Sequence, residues 1–247
     1  MPLRGTAFLA LWNDLDPARD AEYNEWHTLE HVPERAGIPG VVAARRYVAP
    51  ERSEGRYFTL YELDSLAVLQ SDSYRDVVDH PTPWTQSMRP SFRNFHRAPC
   101  STLFSAGAGC AACIVAIRIA LLHGARPDAI DWPRALAFDE GVCIAAHAGR
   151  VVADPGFVIR NETRTGAARD EAEIVVLIES ADRRNLQRCI DAVQRNGFVN
   201  SANLIEVPAV FDLAFALERS QLADPGARRQ KPRDELRAKW QRATDLR

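Results

Sequence analysis

The order of strand-like and helix-like segments is the feature that most constrains how this chain can fold. Alternating apolar and polar residues predict strands, and apolar residues three or four positions apart predict helices. Over the first 104 residues these patterns follow the order β-α-β-β-α-β, with strands at 6–12, 40–48, 55–63 and 92–104 and helices at 17–32 and 66–78. After a small-residue linker at 105–109 the order recurs, with strands at 111–122, 142–153, 173–179 and 210–217 and helices at 127–138 and 182–196.

This order is that of a ferredoxin-like unit, in which both helices cover one face of an antiparallel sheet. The other face is left bare, and an apolar bare face has to be buried against something. A second unit of the same kind can bury this apolar face. We therefore predict an α+β fold of two tandem ferredoxin-like units, residues 1–105 and 110–218, which form a barrel within one chain. A charged tail, 219–247, follows them, and its interleaved basic and acidic residues predict a solvated appendage with a short helix at 234–242.

Alternation within the strands predicts which side chains face the barrel interior. In the first strand Leu9 and Trp12 point to opposite faces of the sheet, and in the third strand Phe58 and Tyr61 do the same. We assign Leu9 and Phe58 to the face that packs against helices. The aromatic face, which also carries Tyr57 and Thr59, is assigned to the interior together with Arg45 and Tyr47.

Composition argues against nucleic-acid-binding, membrane-bound and exported proteins. The formal net charge of -2 predicts no general attraction to nucleic acid or to membranes. The apolar run at 7–12 is too short for a signal peptide, and the run at 110–122 is interrupted by Arg118 and falls short of the ~20 residues of a membrane-spanning helix. The chain has five cysteines, an odd number that cannot all pair, so we expect reduced thiols instead of a disulfide framework. We expect a cytoplasmic protein.

The segment from His27 to His31 reads His-Thr-Leu-Glu-His, the H-x-x-E-H order of inverted zinc peptidases. The two histidines lie one helical turn apart and can share a ligand. A zinc peptidase needs a third protein ligand, but residues 80–127 contain no acidic residue. Pro33 is also expected to end the helix directly after the motif. The sequence thus predicts no metal site, and zinc proteolysis is a remote alternative.

A longer stretch, residues 22–48, resembles the EthD-like families of the dimeric α/β barrel superfamily. Their signature is a helix reading roughly N-x-W-x-x-x-E-H-x-P-E, followed by P-G and an A-R-R-Y strand. The matching residues are Asn24, Trp26, Glu30, His31, Pro33, Glu34, Pro39, Gly40, Arg45, Arg46 and Tyr47. His27 departs from the pattern, because that position is commonly Tyr or another residue. The second unit lacks this helix, as a degenerate repeat would.

The resemblance implies an apolar pocket between sheet and helices. Relatives include small isomerases, polyketide cyclases and cofactor-free monooxygenases that act on aromatic or lactone compounds. We therefore expect a small aromatic or acyl ligand, no cofactor, and catalytic roles for His31, His27 and Glu30. His31, near the predicted helix end, is expected to be a cation and to act as an acid. The expected ligand-binding residues are Tyr23, Arg45, Tyr47, Tyr61, His80 and Trp84.

Other functions stay open from the sequence. The chain can be a non-catalytic ligand-binding or assembly partner of a catabolic enzyme, and it can be a monomer with an internal pseudo-dimer or a homodimer. A haem enzyme is a third option, because some two-unit barrels of the superfamily bind haem. The second unit offers only His123 and His147 as ligands for it. An open cavity in the first unit that contains His31 would favour catalysis.

Overall fold

The computed structural model describes residues 2–121, 124, 126–141, 143–152, 172–200, 202–206, 208–227 and 229–244. The strands in these ranges are β1 (Ala7–Leu15), β2 (Val41–Val48), β3 (Tyr57–Leu63), β4 (Phe92–Gly107), β5 (Cys113–Leu121), β6 (Ala145–Val151), β7 (Ala172–Ser180) and β8 (Ala209–Glu218). The helices are α1 (Asp20–Trp26), a π turn (His27–His31), α2 (Val32–Ala36), α3 (Asp72–Asp79), α4 (Pro83–Met88), α5 (Trp132–Ala135), α6 (Arg183–Arg195) and α7 (Asp234–Thr244).

The described strands form one closed antiparallel barrel in the order β1-β3-β2-β8-β5-β7-β6-β4. Each half has the same internal order, β4-β1-β3-β2 in the first and β8-β5-β7-β6 in the second. The halves join where β2 pairs with β8 and where β4 pairs with β6. The predicted α+β fold of tandem ferredoxin-like units is therefore confirmed. Strand β4 continues to Gly107, so the first residues of the predicted linker belong to the sheet, and the domain limits at 105 and 110 stay a prediction.

The faces of β1 and β3 differ from the prediction. Leu9 lies opposite Tyr61, and Trp12 lies opposite Phe58. Residues directly opposite each other point to the same face of a sheet, so Trp12 and Phe58 share the barrel interior whereas Leu9 and Tyr61 pack towards the helices. The assignment of Phe58 to the helices was wrong, and so was that of Tyr57, Thr59 and Tyr61 to the interior. A one-residue change of register exchanges the two faces, and alternation within a single strand does not fix the register.

The barrel interior combines an apolar cluster with a buried ionic network. The guanidinium of Arg45 contacts Glu62 at 2.6 Å and Glu179 at 2.7 Å. Nε2 of His147 lies 3.2 Å from the same Glu179 carboxylate. Tyr47 is fully buried against Phe58. The interior position predicted for Arg45 and Tyr47 thus agrees with the structure, and it separates both residues from the helix-covered outer face of the sheet.

Pro33 does not end the first helix, contrary to prediction. Proline lacks an N–H group and its ring crowds the preceding turn. The backbone accommodates it with the π turn, in which the N–H of Val32 donates to the carbonyl of His27, five residues back. Helix α2 then continues to Ala36. The wider turn also changes the helix faces, since Leu29 is 40% exposed although a regular helix would bury it beside Trp26.

The C-terminal tail is not a solvated appendage. The guanidinium of Arg229 contacts the Glu34 carboxylate at 2.7 Å, and the ammonium of Lys239 contacts Glu25 at 3.1 Å. The indole of Trp240 also donates to Glu25, at 3.0 Å. Helix α7 therefore packs on the outer side of α1 and α4. No helix within the described ranges has the length and apolar character needed to cross a membrane.

Candidate active site

A cavity of about 720 Å³ lies between the helices of the first unit and the outer face of its sheet. Its walls are largely apolar. The sheet contributes Leu9 and Tyr61, the helical side contributes Trp26 and Val78, and β4 contributes Phe95. Both His27 and His31 line the cavity as well. A pocket of this size, mostly apolar and with few polar groups, is typical of small-molecule sites.

The two histidines belong to a series of stacked aromatic rings. The ring of Tyr23 lies 5.1 Å from His27, that of His27 lies 5.3 Å from His31, and that of His31 lies 4.5 Å from Trp26, measured between centroids. The hydroxyl of Tyr23 donates to the side-chain oxygen of Asn13 at 3.2 Å, which fixes the outer end of the series. Positions four residues apart on one helix bring the two imidazoles together. The stack holds both rings against the cavity.

Burial keeps both imidazoles neutral. It lowers the pKa of His31 well below the usual 6.5, and the nearby charges of Arg35 and Arg89 lower that pKa further. The pKa of His27 is also lowered well below 6.5, first by burial and then by Arg46, His31 and Arg35. The expectation that His31 is a cation was wrong, because the helix does not end there and arginines surround the ring. A neutral imidazole is suited to accept a proton.

Several residues of this cavity carry a buried polar atom that lacks a hydrogen-bond partner. Such atoms include His27 Nδ1, His31 Nδ1, Arg35 Nη1 and Tyr61 Oη. More than nine in ten buried polar groups in proteins are paired, so a cluster of these atoms around one cavity needs an explanation. A bound molecule that supplies the missing partners provides one.

Glu30 does not face His31. Its Oε1 accepts a hydrogen bond from the hydroxyl of Thr82 at 2.6 Å, and its Oε2 accepts one from the backbone N–H of Arg233 at 2.7 Å. Glu34, on the next turn of the helix, accepts hydrogen bonds from Arg229. The structure thus corrects the assignment of Glu30 to catalysis. This carboxylate joins the first helix to α4 and to the tail.

Of the expected ligand-binding residues, Tyr61 alone lines the cavity. Tyr23 supports His27 from behind, and the indole of Trp84 donates to Glu22 at 2.9 Å. His80 is an exposed side chain beside Asp76. Arg45 and Tyr47 lie in the barrel interior. Four of these residues, Arg45, Tyr47, His80 and Trp84, are therefore placed away from the cavity.

Sequence reasoning missed the arginines of the cavity, which are Arg35, Arg89 and Arg97. A signal for Arg35 was present, because it follows His31 by four residues, just as His31 follows His27. Three residues at this spacing share one helix face. No comparable signal marks Arg89 or Arg97, because they come from the segment after α4 and from β4 and reach the cavity only through the fold.

The described residues offer no cluster of metal ligands, and His147 is not available as a haem ligand. No group of three or more His, Cys, Asp or Glu side chains in the described part of the chain is placed to hold a metal ion. In His147, Nδ1 lies 2.8 Å from the Ser105 hydroxyl and Nε2 is bound to Glu179, so neither nitrogen is free for iron. His123 lies outside the described residues. The absence of bound zinc and of a cofactor stays a prediction.

Comparisons with known proteins give the fold. No protein-family model matches the chain, and no curated protein sequence matches it significantly. The crystal structure of an anthrone oxidase-like protein superposes with a TM-score of 0.59 at 9% identity, covering 94% of this chain and 99% of the other. A dye-decolorizing peroxidase from Bacteroides thetaiotaomicron VPI-5482 superposes with a TM-score of 0.51 at 7% identity, covering 91% and 96%. The chain thus shares the dimeric α/β barrel fold, and identities this low show the fold alone.

Proposed function

We propose that the chain is a cofactor-free acid–base enzyme of the EthD-like kind, which binds a small aromatic or acyl compound in the cavity and removes a proton from it. The observation that carries this proposal is the apolar cavity with unpartnered polar atoms on its walls, two of them on neutral histidines. The resemblance of residues 22–48 to EthD-like proteins supports the same conclusion. The open cavity beside His31 favours catalysis over a purely structural role.

His31 is the proposed general base. Its neutral imidazole accepts a proton from an acidic C–H or O–H bond of the ligand, and negative charge develops on a ligand oxygen. The hydroxyl of Tyr61 can donate a hydrogen bond to that oxygen, since burial raises the pKa of Tyr61 and keeps it protonated. His27, stacked behind His31, acts as a positioning residue. Isomerisation, cyclisation and cofactor-free oxygenation all begin with such a step.

Hydrogen exchange tests the proposal without knowledge of the full reaction. Aromatic ketones, aromatic acids and acyl thioesters are first screened by thermal shift, and each stabilising compound is then incubated in D₂O with the protein. We expect the NMR signal of its acidic C–H to disappear, and His31→Ala to slow this loss by about 10²-fold or more. The matched control is His80→Ala, at an exposed histidine outside the cavity. Binding with no enzyme-dependent exchange would instead support the non-catalytic ligand-binding role.

A further inference from the structure

The charge of the cavity is unbalanced. Three arginines line it, Arg35, Arg89 and Arg97, but Asp79 is the one acidic residue among its described lining residues, and that side chain is exposed. Both histidines are neutral at pH 7, so Arg35 and Arg89, set against Asp79 alone, leave the described lining with excess positive charge. Excess charge of one sign inside a partly enclosed apolar space attracts a ligand of the opposite sign.

Arg35 is the arginine best placed to meet a ligand. Its Nη1 is buried and has no hydrogen-bond partner, and its guanidinium lies 5.8 Å from the centre of the Tyr74 ring. The guanidinium of Arg97 also lies near this ring, 6.0 Å from its centre. Arg89 uses Nη2 to donate to the carbonyl of Val78 at 2.7 Å. Burial and the charge of Arg35 both lower the pKa of Arg89, as expected for two cations close together.

Two buried arginines elsewhere in the described chain are paired with carboxylates, and a third, Arg46, is held by the side chains of Thr28 and Asn24. Arg45 contacts Glu62 and Glu179, and Arg118 contacts Glu173 at 2.7 Å. Removing a charge from water without a partner is costly, which explains those pairs. Nη1 of Arg35, although buried, has no such partner. The contrast indicates that the partner of Arg35 is not part of the protein.

We propose that the cavity selects an anionic ligand, an aromatic carboxylate whose carboxylate group is bound by Arg35 with support from Arg89. The planar guanidinium can hold both oxygens of a carboxylate, and such charge-assisted pairs are the strongest hydrogen bonds available to a side chain. The aromatic part then lies against the apolar wall that contains Leu9 and Tyr61. This inference rests on the proposed function only because it concerns the same cavity. It adds the chemical class of the substrate.

Two probes of the same shape test the selection, because 2-naphthoate and 2-naphthamide differ in charge but hardly in size. Isothermal titration calorimetry is expected to show that the wild-type protein binds the carboxylate at least about tenfold more tightly than the amide. In Arg35→Met this preference should fall below about threefold, while affinity for the amide stays within about twofold. Arg89→Gln should reduce the preference by a smaller factor.

Arg75→Met is the matched control, because Arg75 is an exposed arginine of α3 that pairs with Asp72 outside the cavity. It should keep the full preference, and circular dichroism should show all variants folded. Equal wild-type affinity for both probes, an undiminished preference in Arg35→Met, or no saturable binding of either probe would overturn the inference. The proposed function fails separately, if His31→Ala leaves proton exchange unchanged while the preference for the carboxylate persists.

Discussion

The imidazole rings of His27 and His31 stack with their centroids 5.3 Å apart and their planes inclined by 30°. They do so within the π turn that Pro33 enforces, on the side of the helix that faces the cavity. The two rings cannot both carry a charge at low cost, because His27 and the Nδ1 atom of His31 are buried and arginines lie nearby. This pair therefore links the local geometry of one helix to acid–base chemistry and to the dependence of stability on pH.

Stability should fall as the solution becomes acidic. Both histidines have a folded-state pKa well below 6.5, so below about pH 6.5 the unfolded chain binds more protons than the folded one. The free energy of unfolding then decreases as pH is lowered from about 6.5 towards the folded values. Each histidine contributes at most about 1.4 kcal/mol per pH unit.

Urea denaturation at several pH values between 7 and 5 measures this dependence. His31→Gln removes one of the two groups and should make the decrease shallower than in the wild type. His80→Gln is the comparison variant, because it removes an exposed histidine that lies outside the cavity. Identical slopes for all three proteins would show that His31 is not buried in its neutral form.

The two histidines should differ in their effect on catalysis. His31 coincides with the E-H-x-P-E pattern of the resemblance, and its ring lies between His27 and Trp26. Once a reaction is identified, His31→Ala should lower kcat/KM by about 10²-fold or more, as expected for loss of a general base. His27→Ala should have a milder effect, of about tenfold, because it removes only the support of His31. Equal losses would indicate that the pair acts as one unit.

Glu30→Ala should destabilise the protein and release the tail. The carboxylate accepts hydrogen bonds from Thr82 and from the backbone N–H of Arg233, and its loss removes both charge-assisted bonds and leaves the Arg233 N–H without its partner. We expect a loss of roughly 2–4 kcal/mol in the free energy of unfolding. Limited proteolysis should cut residues 229–244 faster than in the wild type. Glu54→Ala, at an exposed turn, is the control, and equal cleavage rates would contradict the role of Glu30 as an anchor.

Arg45→Met should weaken the fold and leave the cavity intact. It would leave Glu62 and Glu179 without their shared cation inside the barrel, at a cost of about 3–5 kcal/mol. Affinity for 2-naphthoate, measured at a temperature where the variant is folded, should remain that of the wild type. A specific loss of affinity in the folded variant would return Arg45 to the ligand-binding residues.

The first unit in isolation should self-associate. A chain of residues 1–107 has the β2 and β4 edges that the second unit normally pairs, and it exposes the interior face around Trp12 and Phe58. Unpaired edges and apolar faces promote association between chains. Sedimentation at increasing concentration should show species larger than one unit. A well-folded monomer at high concentration would contradict this dependence of one half on the other.

The sequence by itself determined the order of the elements and, through it, the barrel. Two sheets with bare apolar faces have few ways to bury them, and pairing β2 with β8 and β4 with β6 buries both at once. Sequence spacing also brought His27 and His31 onto one face of the first helix. The element order and the histidine spacing depend on residues close together in the chain, which is why periodicity and motif order were sufficient to predict them.

Tertiary structure decided the features that join distant segments. The register that places Tyr61 at the cavity depends on pairing between strands, which alternation within one strand cannot reveal. Glu30 is turned towards Arg233, about two hundred residues away along the chain. The neutral state of His31 arises from burial and from Arg89, which a separate segment brings close. Desolvation and charge act through space, so the chemistry of this site became visible only once the chain was folded.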